Sequence, residues 1–556
     1  MFSDIKIILF IIFVNVVFGK LIVEDTLIIH PITWETSSPQ GWNAQYEKVV
    51  KFPDKDIQWR KIFLIQTLKC DSTTKGDQYP CGEWDYIWNI LVDVPSADTF
   101  ETFSLGSFVT PYGKRLKMGE EFGWEWIYDI TDYASILIGD RKIIVGNNQE
   151  LLDLKFLFIK GLPTRNILNV ENIYPYGNYK YGDLSDDIIL KEKKLFLFPN
   201  AKGYKIKSVI SGHGHAGPRN CCEWDEKTHT YYIDDWQLFR WNIWKDCGNN
   251  PIYPQGGTWP FDRAGWCPGT KVDEFEFELT PFVKSADTIM IDYGIQPYLN
   301  DGEKEGDFRM SHQIIAYGAP NFSNDVAIID IIKPSSKDKH SRFNPTLGAP
   351  QIIIKNEGRD DVKYLEIIYG LNKTSKSIYR WHGKLEFLEK EVINLPIMNW
   401  NGLNRSQVFE VEIKNPNKTL DENIFNNSLS STVSIPQVFP TQFILSIKTN
   451  NLNRAIENSY TISDNYGKVY YDEDFFKDDT EYFFPIELKR GFYEFYFKDA
   501  MEDGISIHWW NRTSAPEKVG ISGEVKFLDI NGEILHDFDS DFGQELRFNF
   551  IIGQIP

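Results

Sequence analysis

Residues 211–269 concentrate the side-chain types that carry out acid–base chemistry. The segment contains Ser211-Gly-His-Gly-His-Ala216, then Cys221-Cys-Glu-Trp-Asp225, and later Asp262-Arg-Ala-Gly-Trp-Cys267. Catalytic groups commonly lie on loops that a rigid scaffold positions. Carboxyl groups in different surroundings acquire different pKa values, so two of them can divide proton transfer and water activation between them. The segment therefore predicts an acid–base catalytic site built around carboxylates.

A second copy of the central pattern occurs earlier in the chain. Cys81-Gly-Glu-Trp-Asp85 matches Cys221-Cys-Glu-Trp-Asp225 at four of five positions. A C-x-E-W-D pattern that occurs twice suggests two similar units. We expect each unit to contribute an acid to one shared site.

Seven blocks of the chain resemble the peptide-N-glycosidase F family, whose members remove N-linked glycans from asparagine. They occur in the family's order and cover roughly residues 40–320, which makes the combined signal specific although each block alone is weak. The blocks are Cys81-Gly-Glu-Trp-Asp85, Phe108-Val-Thr-Pro-Tyr112, Asp129-Ile-Thr-Asp132, Ser211-Gly-His-Gly-His-Ala216, Cys222-Glu-Trp224, Thr228-His-Thr230 and Asp262-Arg-Ala-Gly-Trp-Cys-Pro-Gly269.

The resemblance implies a role for each matching residue. Asp85 aligns with the essential family aspartate, so it is expected to contact the scissile glycosylamide and assist proton transfer. Glu223 aligns with a second family carboxylate and is expected to orient and polarise the attacking water. His213 stands where the best-known member has tryptophan. Five residues are expected to bind substrate: Arg263, Trp224, Trp266, His215 and His213. The alternative for Arg263 is pairing with Asp262 or another loop acid, and the alternative for the two tryptophans is packing in the core.

A third family glutamate has no clear counterpart here. When the chain is aligned with the family from Asp129 onward, the position of that glutamate falls on Asn148. Glu150 lies two residues further on. The third acid is therefore absent, shifted to Glu150, or supplied elsewhere. The alternative function that follows is a secreted glycoprotein-binding or adhesion protein on the same scaffold, with weak catalysis or none.

The histidines also raise a metal hypothesis. Two histidines spaced by one residue, such as His213 and His215, can share a metal, and His229 lies near them in sequence. The expected double-sandwich architecture also resembles copper-dependent peptide monooxygenases. The chain lacks their fuller histidine set, so a copper oxygenase is the less favoured alternative, and we expect no metal and no cofactor.

Six cysteines in an exported chain predict disulfide bonds. Two pairs each bracket a loop beside a motif: Cys70–Cys81 and Cys247–Cys267. In the resembling family a cysteine at the position of Asp225 bridges back to the position of Cys221, and Asp225 rules that bridge out. Cys221 and Cys222 therefore either form a vicinal disulfide or stay reduced.

Composition limits the partners. A net charge of −20 and a pI near 5.0 argue against nucleic acid and anionic membranes. Residues 1–19 have the pattern of a signal peptide, with Lys6 before an apolar run, so the chain is expected to be secreted or lumenal, without a membrane span. The resemblance implies that N-linked glycoproteins and glycopeptides are the partners and that they are bound at their chitobiose core. The protein is expected to be a monomer.

The chain is too long for one hydrophobic core and consists largely of short alternating runs such as Glu274-Phe-Glu-Phe-Glu-Leu279. We therefore predict an all-β protein. The resemblance implies two tandem jelly-roll sandwiches packed side by side, at 20–161 and 162–322. An immunoglobulin-like sandwich is expected at 323–435 and a jelly-roll-like module at 436–556.

The last module contains Glu502-Asp-Gly504. This tripeptide could contribute to a calcium site. A plain turn is the favoured interpretation, because Asp-Gly is a common turn pair.

Overall fold

We describe a computed structural model of the chain. It describes residues 26–37, 39, 44–71, 79–116, 123–146, 150–215, 221–283, 287–297, 305–400, 403 and 407–553. The predicted signal peptide and Asn148 lie outside these residues. Among the described residues, no helix has the length and apolar character needed to span a membrane. The chain divides into two compact units, which meet in sequence between Asn321 and Phe322.

The first unit begins with a sandwich of two antiparallel four-stranded sheets. Alternate residues of its strands point inward and form one apolar core that includes Leu64, Val92 and Phe156. One sheet has the order β1-β8-β3-β6 and the other β2-β7-β4-β5. The strands are β1 (Thr26–Ile32), β2 (Gln45–Phe52), β3 (Trp59–Lys69), β4 (Ile87–Ser96), β5 (Thr99–Val109), β6 (Trp124–Asp129), β7 (Gly139–Gly146) and β8 (Leu151–Lys160).

A second sandwich completes this unit. Its sheets have the orders β14-β11-β16-β9 and β10-β15-β12-β13. Burial alternates along β15, as expected for a strand with one face on a core. The strands are β9 (Arg165–Lys180), β10 (Lys193–Phe196), β11 (Gly203–His213), β12 (Lys227–Ile233), β13 (Trp236–Ile243), β14 (Glu274–Glu278), β15 (Thr288–Ile295) and β16 (Asp307–Pro320), with one short helix, α1 (Tyr181–Ser185), and 3₁₀ helices at Thr131–Tyr133 and Thr280–Phe282.

Buried polar contacts join the two sandwiches of this unit. The Tyr133 hydroxyl donates to Gln313 Oε1 at 2.6 Å, and the Tyr317 hydroxyl donates to Asp132 Oδ1 at 2.7 Å. Lys205 Nζ lies 2.6 Å from Asp132 Oδ2. Directional bonds between buried groups fix one relative orientation, because any other would leave polar atoms unpaired. Residues carried by different sandwiches can therefore form one rigid site.

The second unit contains two further sandwiches. Residues 326–433 form sheets with the orders β17-β18-β21 and β20-β19-β22-β23. The strands are β17 (Val326–Lys333), β18 (Gln351–Asn356), β19 (Val362–Leu371), β20 (Ser377–Leu385), β21 (Lys390–Asn394), β22 (Gln407–Lys414) and β23 (Ser428–Val433), with 3₁₀ helices at Asp338–Phe343, Pro416–Lys418 and Ile424–Asn426.

Residues 437–552 form the last sandwich, with sheet orders β24-β32-β29-β26-β27 and β28-β25-β30-β31. The strands are β24 (Gln437–Phe439), β25 (Gln442–Lys448), β26 (Asn458–Asp464), β27 (Val469–Glu473), β28 (Glu481–Glu487), β29 (Gly491–Asp499), β30 (Glu524–Leu528), β31 (Ile534–Phe538) and β32 (Glu545–Ile552), with 3₁₀ helices at Ala455–Glu457, Trp509–Asn511 and Pro516–Lys518. The all-β prediction is confirmed.

Candidate active site

Asp85 lies on a short loop at the start of β4, just after the Cys70–Cys81 disulfide. Its carboxylate is half-buried, and its Oδ2 accepts a hydrogen bond from the Tyr112 hydroxyl at 2.6 Å. Tyr112 follows the end of β5, the neighbour of β4 in the sheet. Two of the predicted motif blocks therefore meet at this carboxylate.

Thr110 fixes the backbone on both sides of Asp85. Its buried hydroxyl donates to the Trp84 carbonyl at 2.9 Å and accepts from the Tyr86 amide at 2.7 Å. The Thr110 amide in turn donates to the Tyr86 carbonyl at 2.9 Å. Because a single side chain holds the residues before and after Asp85, the position of the carboxylate depends on it.

Thr110→Val is expected to lower stability. Valine keeps the branched shape but leaves the partly buried Tyr86 amide without its acceptor, which costs about 1–3 kcal/mol in the free energy of unfolding. Urea unfolding would measure this loss. Thr99→Val is the control, because the Thr99 hydroxyl bonds an exposed hairpin carbonyl. Equal stability of the Thr110→Val and Thr99→Val variants would contradict a role of Thr110 in holding the backbone around Asp85.

A loop of the second sandwich packs against Tyr112. The buried Gln255 side chain accepts from the Tyr112 amide at 2.9 Å, and Gly256 N donates to the Tyr112 carbonyl at 3.0 Å. A Cβ at Gly257 would lie 2.4 Å from the Tyr112 ring, and this residue has a φ of +61°, so only glycine fits there. This loop lies within the segment that the Cys247–Cys267 disulfide closes. The second sandwich thus helps to position a side chain that contacts Asp85.

Glu223 comes from the second sandwich, in the loop before β12. Cys221 and Cys222 form a vicinal disulfide across a cis peptide bond. The amides of Cys222 and Glu223 both donate to the Gly214 carbonyl at 2.9 Å. The predicted pairs Cys70–Cys81 and Cys247–Cys267 are confirmed, and the open question about the adjacent cysteines is answered in favour of the disulfide.

Arg263 lies beneath Glu223 and is 0% exposed. Its Nε donates to Glu223 Oε1 at 3.2 Å. Its terminal nitrogens donate to the carbonyls of Phe261 at 2.6 Å and Thr258 at 2.9 Å. In this structure the loop carbonyls take the terminal donors of Arg263 and its Nε holds Glu223, which is the pairing with a loop acid considered as the alternative. Substrate binding by Arg263 stays a prediction.

Electrostatics couple the two acids. Burial raises the pKa of Glu223 to about 7; the positive charge of Arg263 opposes this rise and the negative charge of Asp85 adds to it. Burial also raises the pKa of Asp85, while Arg263 and the Tyr112 hydrogen bond oppose the rise. One guanidinium thus acts on both carboxyl groups, which belong to different sandwiches. A carboxyl group with a pKa near 7 is well matched to accept and return a proton at neutral pH.

The aromatic residues of the second sandwich differ in exposure. Trp266 is 1% exposed, and its Nε1 donates to the Gly212 carbonyl at 2.8 Å. It packs below the guanidinium of Arg263, with 4.9 Å between the guanidinium carbon and the ring centroid. This ring lies in the interior against Arg263 and His213, and its predicted contact with a sugar stays a prediction. Trp224 is half-buried and lies 4.2 Å from the same guanidinium carbon.

The two predicted histidines lie at different depths. His213 stacks on the Trp266 ring at 5.2 Å, and its Nε2 bonds Ser211 Oγ at 2.8 Å. Burial lowers the pKa of His213 to about 3, so it is neutral at physiological pH. His215 is exposed and forms a backbone bridge with Cys222. Of this pair, His215 is the one whose side chain is open to a ligand.

Two residues near Asp85 were missed by the sequence analysis. Trp84 is 52% exposed, and its ring lies edge-on to Tyr112 at a centroid distance of 6.3 Å. Tyr112 itself donates to Asp85. The repeated C-x-E-W-D pattern was the available signal for Trp84, since we singled out only the tryptophan of the second copy.

Two further predicted residues lie apart from the Arg263 contacts. Glu150 is 1% exposed and immediately precedes β8, whose first residue pairs with Lys69. His229 is buried in β12, where its Nδ1 bonds the Tyr293 hydroxyl. Groups of three or more potential metal ligands within the described part of the chain do not include His213, His215 or His229. The histidines considered for a metal therefore serve separate local contacts.

Comparisons with known proteins found similarity to peptide-N-glycosidase F. Residues 180–315 match the family model described as peptide-N-glycosidase F, C terminal. The chain is 29% identical over 265 residues to peptide-N(4)-(N-acetyl-beta-D-glucosaminyl)asparagine amidase F of Elizabethkingia miricola, covering 43% of this chain and 71% of that protein. A solved structure of PNGase F, a glycosylasparaginase from Flavobacterium meningosepticum, has 26% identity and a TM-score of 0.45, covering 53% of this chain and 96% of that one.

Proposed function

We propose that the chain is a member of the peptide-N-glycosidase F family and that it hydrolyses the amide bond between an asparagine side chain and the first N-acetylglucosamine of an N-linked glycan. Water supplies oxygen to the side-chain carbonyl, which becomes the carboxyl group of aspartate. The amide nitrogen leaves with the sugar as a glycosylamine, which then hydrolyses and releases ammonia. The reaction needs no redox partner.

The observation that carries the proposal is the pairing of Asp85 with Glu223. They come from different sandwiches, yet their charges interact, and Arg263 acts on both. A buried site that couples two carboxyl groups and one arginine is suited to amide hydrolysis, which needs an activated water and a proton for the departing nitrogen.

The pKa values support a division of labour. Glu223, with a pKa near 7, accepts a proton from water as the water attacks the side-chain carbonyl, and it then returns that proton to the departing nitrogen. Asp85 contacts the N–H of the scissile glycosylamide and assists this transfer. Arg263 keeps a useful fraction of Glu223 ionised at neutral pH, since its positive charge favours the carboxylate.

Side chains with exposed surface around the two acids bind the sugars. Trp84 presents an open ring beside Asp85, and aromatic faces of this kind stack well on sugar rings. Trp224 and His215 provide further surface near Glu223. We extend the proposal to secretion through the signal peptide at residues 1–19, because a glycoprotein substrate and three disulfides both suit an oxidising compartment.

The test is hydrolysis of a defined N-glycopeptide in water enriched in heavy oxygen, followed by mass spectrometry. We expect asparagine to become aspartate carrying one heavy oxygen, with free glycan in equal amount. Release of glycan with unchanged asparagine would place the cleavage in the sugar chain and overturn the proposal. No release between pH 4 and 9, together with retained glycopeptide binding, would instead favour a binding protein on this scaffold.

A further inference from the structure

The C-terminal sandwich brings three carboxylates together at one end of a sheet. Glu457 ends a 3₁₀ helix, Asp499 is the last residue of β29, and Asp503 lies in the turn that follows. One potential ligand oxygen of each residue lies within 4.8 Å of those of the other two. Carboxylates this close repel one another where burial excludes screening water, so the cluster requires a positive charge.

Two of these carboxylates have oxygen atoms that the protein does not satisfy. Asp499 is 0% exposed; its Oδ1 accepts from the amides of Met501 at 3.0 Å and Asp503 at 3.3 Å. Its Oδ2, and Oε2 of Glu457, are buried without a hydrogen-bond partner among the described residues. Buried polar atoms are nearly always paired, so unsatisfied oxygens at one place point to a ligand.

A neutral oxygen independent of the acids lies on the same face. Asn458, the first residue of β26, pairs with Asp499 across the sheet, and side chains of directly opposite residues project to the same side. Asn458 is 2% exposed. Its amide nitrogen donates to the Arg454 carbonyl at 3.1 Å, while its Oδ1 has no partner within the described part of the chain. This oxygen is suited to a cation that takes both carboxylate and amide ligands.

Charge and the types of ligand atom favour calcium. Arg454 Nη2 lies 3.0 Å from Asp503 Oδ1 and offsets one of the three negative charges, which leaves about two. Ca²⁺ takes about six to eight oxygen ligands from carboxylates and from backbone or Asn/Gln carbonyls, whereas Mg²⁺ keeps several waters and binds one or two carboxylates. Three carboxylates beside a buried amide oxygen therefore suit calcium better than magnesium.

We propose that Glu457, Asp499 and Asp503, with Asn458 Oδ1 as a neutral ligand, bind one calcium ion that ties the turn after β29 to the sheet. The sequence pattern favours a plain turn at Glu502-Asp-Gly504 over a calcium site, and Glu502 Oε1 accepts from Gln544 Nε2 at 2.6 Å. The chain beyond the turn carries His508, whose Nε2 lies 2.7 Å from Asp503 and whose ring stacks on Trp510. Calcium therefore orders an aromatic loop of this sandwich.

The test uses the full-length protein and calcium alone. Chelator-treated protein is titrated with CaCl₂ by calorimetry, and thermal unfolding is followed with CaCl₂, MgCl₂ or EDTA. We expect one calcium per chain, with a dissociation constant in the micromolar to millimolar range. Saturating calcium is expected to raise one unfolding transition by roughly 3–8 °C, with a smaller effect of magnesium.

Asp499→Asn is the decisive variant, and Asp529→Asn, on an exposed turn of the same sandwich, is its control. Asparagine removes a buried charge, so without calcium Asp499→Asn is expected to unfold at least as high as the parent protein, while losing calcium binding. Asp529→Asn is expected to keep calcium binding. Burial and the charges of Asp503 and Glu457 raise the pKa of Asp499 to about 8, so a proton is the competing occupant. Absence of calcium binding at pH 8 and 9, or full binding by Asp499→Asn, would overturn the proposal.

Discussion

Replacement of Asp85 by asparagine is expected to lower kcat for release of an N-glycan from a glycopeptide by roughly 10²–10⁴-fold. Asparagine has nearly the same shape as aspartate and can still accept the Tyr112 hydrogen bond, which measures 2.6 Å in the parent protein. It carries no negative charge, so it cannot assist proton transfer at the glycosylamide. Because burial disfavours the charged form of Asp85, the variant is expected to unfold at a temperature close to that of the parent.

The Asp85→Asn variant is also expected to change the pH dependence of the residual activity. The negative charge of Asp85 raises the pKa of Glu223, so its removal is expected to shift the acidic limb of the residual activity to lower pH. Turnover of one defined glycopeptide from pH 5 to 9 would measure both effects. The matched control is Glu83→Gln, which neutralises a nearby acid of the same loop. Asp85→Asn with activity within threefold of the parent would remove Asp85 from the chemistry.

The strand pattern and the motif blocks were predictable from the sequence because they depend on short-range regularities. Glu274-Phe-Glu-Phe-Glu278 alternates and forms β14 over the same residues. The Cys247–Cys267 pair brackets a loop, and the structure closes that loop with a disulfide. The periodicity of apolar residues and the spacing of cysteines depend on local geometry, so they can be interpreted from the sequence alone.

Burial of loop side chains was not predictable in the same way. Trp224 and Trp266 both pack against Arg263, yet only Trp266 is covered, because Gly212 on β11 accepts its N–H and the His213 ring stacks on it. The exposure of Trp84 has the same origin: it depends on what packs over the loop. Such facts are set by contacts between residues far apart in sequence.

Replacement of Arg263 by glutamine is expected to move the pH dependence of catalysis and to lower stability. In the parent protein the base form of Glu223 is the ionised one, so kcat/KM is expected to rise as the pH increases through about 7 and then to level off. The Arg263 charge lowers this pKa, and its loss therefore shifts the limb to higher pH. A shift of roughly one pKa unit corresponds to about a tenfold lower rate well below the pKa and little change well above it.

The stability change has a separate cause. Removing one partner of a buried ion pair costs about 3–5 kcal/mol when the other charge stays buried and unpaired. Glu223 can take up a proton in the variant, so the cost is expected to be smallest at low pH and to grow as the pH rises above 7. The variant also loses guanidinium donors to the Phe261 and Thr258 carbonyls, which lowers stability at every pH.

Arg309→Gln is the control, because Arg309 lies in the same sandwich and pairs with Asp307 at 3.2 Å rather than with Glu223. It is expected to leave the acidic limb of the pH profile in place. An Arg263→Gln protein that is folded, less active at all pH values and unshifted in its acidic limb would mean that a group other than Glu223 titrates. Another acid would then activate the water. The buried Glu150, which immediately precedes β8, would be the first candidate to test by substitution.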